Sequence, residues 1–373
     1  FRVKPGERVL QFASSSFDAS VWDVYMVLFT GATLHLIRRE TTMSMPDLHR
    51  LMQEQEINHV CLPPAVLRLL TADGLPALRT LISAGEACTP DIVARWAIGR
   101  RFFNGYGPTE NTVASTWGEV TAESGTATVP IGRPIPNAQC YVLDRFLNPV
   151  PVGVPGELHV GGPGLARGYL NRPDLTAERF IAHPFVADPQ ARLYKTGDLV
   201  RYRPDGNMEF VGRVDHQVKM RGFRVELGEI EAVLEEHPSV QMAAVLARED
   251  ARGDRQLVAY IAPAEGAACD VADLRNLVRD RLPDYMAPAV YMPLEKMPLT
   301  PSGKIDRQAL PAPDGAQLEA GRPYVAPSSP LEELVAGVWE QVLGVQRVSA
   351  DDSFFALGGH SLLATQVISR LRN

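Results

Sequence analysis

The stretch ATLHLIRRETTMSMPDLHRLMQEQEINHVCLPPAVLRLLTADGLPALRTLISAG, residues 32–85, decides the fold class. Residues 32–37 read as a strand, 46–55 as a helix, and 58–62 as a strand closed by Pro63-Pro64. A further apolar run, 78–83, is closed by Ala84-Gly85. Short apolar runs bounded by turn formers and separated by a helical segment predict an α/β core of layered sheets and helices. The same reading extends outward. Residues 157–161 and 199–203 read as strands, and Pro204-Asp205-Gly206-Asn207 as a hairpin turn before 208–211. Residues 1–214 are expected to form this core.

Residues 215–309 read as a separate small α+β unit. Leu227, Ile230, Val233 and Leu234 form a helical stripe that stops before Pro238. Residues 240–246 and 257–261 read as strands, and Asp270 as the cap of a helix carrying Val271, Leu274, Leu277, Val278 and Leu282. A Pro-, Ala- and Gly-rich linker covers 310–328. From 329 to 373 the pattern is helical. Ser329 is a predicted N-cap, Pro330 sits in the first turn, and Glu332 closes a capping box. Leu331, Leu334, Val335, Val338, Val342 and Leu343 mark one apolar face, and Gly344 ends the helix. A last helix from about residue 361 runs into the chain end. The opening on Phe1 without a Met, together with that helix, gives the expectation of a piece cut from a longer polypeptide.

Hydrophobic residues are 45% and charged residues 22% of the 373, which excludes a disordered or fibrous chain. Net charge is −7, from 37 basic and 44 acidic residues, and no basic domain stands out, so nucleic acid is not an expected partner. The most apolar run, residues 24–29, is too short to cross a bilayer, so no membrane partner is expected. Cys61, Cys88, Cys140 and Cys269 lie far apart, without zinc spacing, which fits a reducing cytoplasm.

Several segments could carry chemistry. In Asn104-Gly105-Tyr106-Gly107-Pro108-Thr109-Glu110 a Gly/Pro turn can hold backbone against a planar ring, with Tyr106 to stack on it. Thr109 offers a hydroxyl to phosphate and Glu110 a carboxylate to Mg²⁺. The plain alternative is a surface turn with a capping Thr. Tyr194-Lys195-Thr196-Gly197-Asp198-Leu199 places an acid at an expected turn before a strand, where it can accept from two ribose hydroxyls or make an ordinary Asx-turn. The Gly-rich segment 156–170 has no Lys-Ser/Thr after its glycines and reads as structure, not as a phosphate loop. Residues 212–222 gather cations beside the expected domain boundary. Arg213 could meet phosphate or ribose and Asp215 could be a hinge, or the segment could be a solvated hairpin. Lys304 sits on a Ser-Gly turn that could project its ammonium into a site; a surface lysine is the plain alternative. Ser361 suits a helix N-cap, and equally a modified serine beside the apolar Leu362-Leu363 pair.

Taken together, the order and spacing of these segments resemble a nonribosomal peptide synthetase of the adenylate-forming superfamily, with an adenylation domain followed by a peptidyl carrier domain. The matching segments are FDAS (17–20), NGYGPTE (104–110), GELHVGGPGLARGYL (156–170), YKTGDL (194–199), GRVDHQVKMRGFRVELGEIE (212–231), LPDYMAP (282–288), PSGKIDR (301–307) and DSFFALGGHSL (352–362). They occur in family order and cover nearly the whole chain.

The resemblance implies amino-acid activation with ATP and Mg²⁺ to an aminoacyl-adenylate, then transfer to a phosphopantetheine thiol on the carrier. It implies a nucleotide site of Asn104, Gly105, Tyr106, Gly107, Thr109, Asp198 and Arg213, with Tyr106 on adenine and Asp198 on the ribose hydroxyls. It makes Glu110 the Mg²⁺ ligand, Lys304 a bridge between substrate carboxylate and α-phosphate, Asp215 the hinge of the small domain, and Ser361 the bearer of 4′-phosphopantetheine. The amino-acid pocket would be lined by Asp18, Ala19, Trp22, Cys61, Ile82, Ala84, Gly105, Val113, Ala114 and Lys304. Asp18 would pair with an α-ammonium and Lys304 with the α-carboxylate. The other positions are apolar or small and offer no second charge, so a large apolar, most readily aromatic, side chain is expected. Implied partners are the amino acid, neighbouring synthetase domains (condensation and downstream modules) and a phosphopantetheinyl transferase.

The chain departs from the family in two respects, one being that the carrier pattern is expected to stop inside its second helix. The Gly-, Ser- and Thr-rich phosphate loop with its Lys is not found upstream of FDAS, and residues 124–128 match it only superficially. The expectation is that this chain alone adenylates poorly. An acyl- or aryl-CoA ligase is the nearest alternative, disfavoured by Asp18, and a non-catalytic carrier or scaffold module is the other.

Overall fold

The computed structural model describes the chain except residues 123–127, 215–216, 221–222, 250–254, 265–268, 301–304, 314–323, 346, 353, 355–356, 358–363, 365–366, 369 and 372–373, and the side chains of 39 and 43. It divides into two compact units, 1–215 and 216–373. In the first unit the strands are β1 (Arg8–Gln11), β2 (Thr33–Leu36), β3 (His59–Leu62), β4 (Thr80–Ser83), β5 (Arg101–Tyr106), β6 (Thr116–Val120), β7 (Arg133–Pro134), β8 (Gln139–Leu143), β9 (Gly156–Gly161), β10 (Phe180–Ala182), β11 (Arg192–Tyr202) and β12 (Met208–Arg213). Its helices are α1 (Ala19–Thr30), α2 (Arg39–Met43), α3 (Met45–Glu54), α4 (Pro64–Leu69), α5 (Pro90–Trp96) and α6 (Pro173–Arg179).

One sheet has the order β2-β1-β3-β4-β5-β6-β7. Its members from β2 to β5 pair in parallel, while β6 and β7 are antiparallel. Every residue of β3 and β4 is buried, as expected for central strands covered on both faces. Leu48, Met52, Leu62, Leu67, Leu81, Trp96 and Phe102 fill the space between this sheet and its helices. The buried Trp96 keeps its indole N–H satisfied by donating to the Leu67 carbonyl at 3.0 Å. The second sheet has the order β10-β11-β9-β8, with β12 on β11, and all its pairs are antiparallel. Tyr106, at the end of β5, puts its side chain into the core of this second sheet, with Ile131, Leu158, Val160, Tyr194 and Met208.

In the second unit β15 (Val240–Glu249), β16 (Arg255–Pro263) and β17 (Val290–Pro293) form a sheet, and β13 (Val218–Met220) pairs with β14 (Phe223–Val225). Helices α7 (Leu227–Glu235) and α8 (Val271–Arg281) bury Ile230, Leu234, Leu274 and Val278 in its core. Asp270 caps α8 through the Ala272 amide. Helix α9 (Pro330–Leu343) opens on the expected capping box of Ser329 and Glu332 and closes on Gly344 at φ 68°.

The structure corrects two sequence expectations. Strand β11 begins at Arg192, not near residue 199, so Asp198 lies inside a strand rather than at a turn before it. Gly197, at φ 73°, and a register shift against β9 between Lys195 and Leu199 form a bulge that carries the strand through the turn-like residues. On α9, Leu331 and Leu334 are 68% and 55% exposed, whereas Ala336, Val342 and Leu343 are buried. Phe354, Leu357 and Val348 pack against the C-terminal half of that helix, so the expected stripe is buried only there. The apolar run 24–29 falls in α1, whose start at Ala19 follows Asp18.

Candidate functional site

Strands β3, β4 and β5 end side by side, with Cys61 paired to Ile82, Ile82 to Phe103, and Ser83 to Asn104. The crevice beyond the carboxyl ends of parallel strands is where α/β sheets bind ligands. From β5 the chain turns at Gly107. A Cβ there would lie 2.4 Å from the Val113 carbonyl oxygen and 2.5 Å from the Ala114 Cα, so only glycine lets segment 112–114 fold back this closely. That segment is strained. Thr112 and Val113 hold φ of 52° and 69°, the latter a rare conformation for a β-branched residue. Asn104, buried, donates to the Pro130 carbonyl at 2.9 Å.

Asp198, 3% exposed, faces two donors. The Tyr106 hydroxyl donates to its Oδ2 at 2.5 Å, and Arg213 Nη1 to its Oδ1 at 2.5 Å. Arg213 also reaches the Thr196 carbonyl, and the Thr196 hydroxyl accepts from the Asp198 amide at 3.0 Å. Burial, then the charge of Asp198, push the Tyr106 phenol well above its ordinary range, so it stays a neutral donor.

Glu110 lies in the one-turn helix Thr109–Asn111, of which Thr109 is exposed. Its Oε1 accepts from the Tyr169 hydroxyl at 2.6 Å and the Tyr194 hydroxyl at 2.7 Å. Its carbonyl accepts from the Ala166 amide, and Thr112 donates to the Gly164 carbonyl at 2.6 Å. The Gly-rich segment is therefore structural, as its sequence suggests, and it carries Tyr169 to Glu110. Among the described residues no group of three His, Cys, Asp or Glu could hold a metal. A single oxygen-only carboxylate fits Mg²⁺, which takes one or two protein carboxylates with water and substrate phosphates.

Of the pocket positions, Trp22 lies 3.3 Å and Ala84 3.8 Å from the place a Gly105 Cβ would occupy. Cys61, Ile82, Ala84 and Trp22 share one apolar cluster with Phe103. Trp22 stacks on Trp117 with ring centres 6.2 Å apart. Asp18 is half-buried at the N-cap position of α1, and its carboxylate makes no capping bond there. Ala19 opens that helix, and Ala114 is buried.

One residue near this pocket escapes the sequence reading, which counts no second charge. Asp23, fully buried on α1, has neither carboxylate oxygen hydrogen-bonded among the described residues. Burial pushes it up to about 7, only partly opposed by the nearby amides of Ala13 and Phe12. Burial, and after it the charge of Asp23, raise the neighbouring Cys61 thiol, which is therefore an unreactive wall. Asp215, Lys304 and Ser361 lie outside the described residues. An open cleft of about 460 Å³ lined by Ala72, Leu75, Arg95, Ile98 and Arg100 shares no residue with the site.

The chain matches three family descriptions in order: AMP-binding enzyme over residues 1–170, AMP-binding enzyme C-terminal domain over 229–304, and phosphopantetheine attachment site over 333–373. It is 55% identical over 372 residues to a linear gramicidin synthase of Brevibacillus parabrevis, covering all of this chain and 7% of that protein. It is 42% identical over 374 residues to tyrocidine synthase 1 of the same organism, again over the whole chain and 34% of the relative. Among solved structures, holo-PA1221, an NRPS protein with adenylation and PCP domains, superposes with a TM-score of 0.80 at 29% identity, over all of this chain and 62% of that one. The Vibrio cholerae adenylation domain AlmE, in complex with glycyl-adenosine-5′-phosphate, superposes with a TM-score of 0.73 at 28% identity, over 83% and 59% of the two chains. The chain spans only a small part of the synthetases it matches. With the three family matches in this order on the two-sheet core described above, it belongs to the AMP-binding enzymes, as an adenylation domain of the nonribosomal peptide synthetases followed by a phosphopantetheine carrier domain.

Proposed function

We propose that this chain belongs to a module that activates one large apolar, preferably aromatic, amino acid with ATP and Mg²⁺ and loads it on its own carrier. The observation that carries the proposal is the paired arrangement of two acids. Tyr106 donates to Asp198 and Tyr194 to Glu110, so β5 with its turn and β11 each supply one tyrosine and one carboxylate to the same corner. In this reading Asp198 and Arg213 bind the ribose hydroxyls, and Tyr106 with Asn104, Gly105 and Gly107 lines the adenine site. Thr109 faces phosphate, and Glu110 would hold Mg²⁺, which would supply neutralisation of phosphate charge. Asp18 holds the α-ammonium, while Ala19, Trp22, Cys61, Ile82, Ala84, Gly105, Val113 and Ala114 surround the side chain. In this reading Lys304 guides a substrate carboxylate oxygen onto the α-phosphorus with pyrophosphate as the leaving group, and Ser361 would hold the phosphopantetheine group whose thiol would take the acyl group as AMP leaves. Residues 1–214 form the C-terminal part of the large core, 215–309 a small domain turning about Asp215, and 329–373 part of a carrier domain. Neighbouring condensation and downstream modules, a phosphopantetheinyl transferase and a cytoplasmic setting belong to the same proposal.

The test is ATP–pyrophosphate exchange over a panel of amino acids and amine-free carboxylic acids. It is run on this chain and on one extended upstream to include a phosphate loop. Exchange in the extended chain driven by Phe, Trp or Leu is expected, with little in the shorter one. Apolar pockets separate substrates by only about 1–3 kcal/mol per methylene, so neighbouring apolar amino acids should give weaker signals. Exchange driven only by acids lacking an amine would overturn the amino-acid reading in favour of a ligase.

A further inference from the structure

We propose that Tyr169 and Tyr194 are positioning residues that jointly fix the Glu110 carboxylate in the orientation in which it meets Mg²⁺. This inference rests on the reading of Glu110 as the Mg²⁺ carboxylate. Each phenol carries one proton. Both protons go to the same oxygen, Glu110 Oε1, at 2.6 and 2.7 Å, and the two phenol oxygens are brought to 3.2 Å from each other. Two donors on one oxygen restrict the carboxylate's rotation about its last bond.

The clamp is itself anchored. The Tyr194 side chain is fully buried, and Phe180 lies opposite it in the β10–β11 ladder, with ring centres 5.1 Å apart. Phe180 also meets the Tyr169 ring edge-on at 5.6 Å. The Tyr169 amide donates to the Thr176 hydroxyl at 2.9 Å, and that hydroxyl donates to the Arg172 carbonyl. Gly168, at φ 145°, allows the approach, because a Cβ there would lie 2.4 Å from the Thr176 Cγ2.

Hydrogen-bond partners of metal-binding side chains typically set metal affinity by about 10–100-fold. The experiment measures Mn²⁺ binding to the full-length protein with a non-hydrolysable ATP analogue by electron paramagnetic resonance, alongside the Mg²⁺ dependence of exchange. Tyr169→Phe and Tyr194→Phe should each weaken Mn²⁺ binding about tenfold and raise the Mg²⁺ needed for half-maximal exchange. KM for the amino acid should not change. Tyr202→Phe, which removes a phenol bonded to the Cys140 carbonyl away from Glu110, should leave both readouts unchanged. If Glu110→Gln abolishes Mn²⁺ binding while both tyrosine variants bind it as tightly as the parent, the clamp is wrong and the Glu110 assignment stands. If Glu110→Gln binds Mn²⁺ normally, the assignment and the clamp fail together.

Discussion

Asp23 is a fully buried carboxylate that the Ala13 and Phe12 amides only partly offset, and its cost depends on pH. Its value of about 7 lies above the ordinary 3.8, so the folded protein holds a proton that the unfolded chain has released between those values. The sign follows. Stability from this group is fully present below pH 4 and is lost as pH rises toward 7, with about 4 kcal/mol as an upper bound. Urea unfolding of this chain at several pH values should show that decline, and Asp23→Asn should flatten it. An unchanged pH slope in the variant would show that Asp23 is not the group responsible. No local pattern marks this charge, because burial at position 23 depends on which side of α1 meets the sheet. The capping box of Ser329 and Glu332 is legible, because both ends of that interaction lie within one turn of chain.

At the scale of elements, the turn after β5 depends on close backbone packing. Gly107→Ala would drive a Cβ into the Val113 carbonyl and the Ala114 Cα. Displacing backbone in a packed region typically costs about 1–3 kcal/mol. Thermal unfolding should register that loss, and nucleotide-dependent stabilisation of the variant should weaken further because Thr109 and Glu110 follow two and three residues later. A variant with unchanged melting and unchanged stabilisation would contradict the packing argument. Strands β2, β3 and β4 and helix α3 are readable from period and punctuation, since each is a short run closed by Gly, Pro or a cap. Strand β11 is not readable as a whole. Thr196-Gly197-Asp198 looks locally like a turn, and only pairing with β9 and β12 makes it strand. Asp198 is therefore visible in the sequence as a candidate while its setting is not, and the Tyr106–Asp198 bond joins residues too distant for any local pattern to reveal.

At the scale of the whole molecule, the motifs are legible because the chemistry they serve fixes residue types at turns and strand ends. The tyrosine partners of the acids are not, because they come together only when the two sheets of the first unit fold. No helix among the described residues is long and apolar enough to cross a membrane. We propose that Glu110 and Asp198 form one nucleotide site that charges Ser361. Intact-protein mass spectrometry of the phosphopantetheinylated, upstream-extended chain tests it most directly, after incubation with ATP, Mg²⁺ and Phe or another amino acid that drives exchange. The account predicts one added aminoacyl mass, mapped to the peptide containing Ser361. It also predicts a loading rate lower by about 10–100-fold in Asp198→Ala and in Glu110→Gln, the loss expected for charged hydrogen bonds and metal contacts. Loading that proceeds at the parent rate in both variants, or an aminoacyl group attached elsewhere than Ser361, would contradict it.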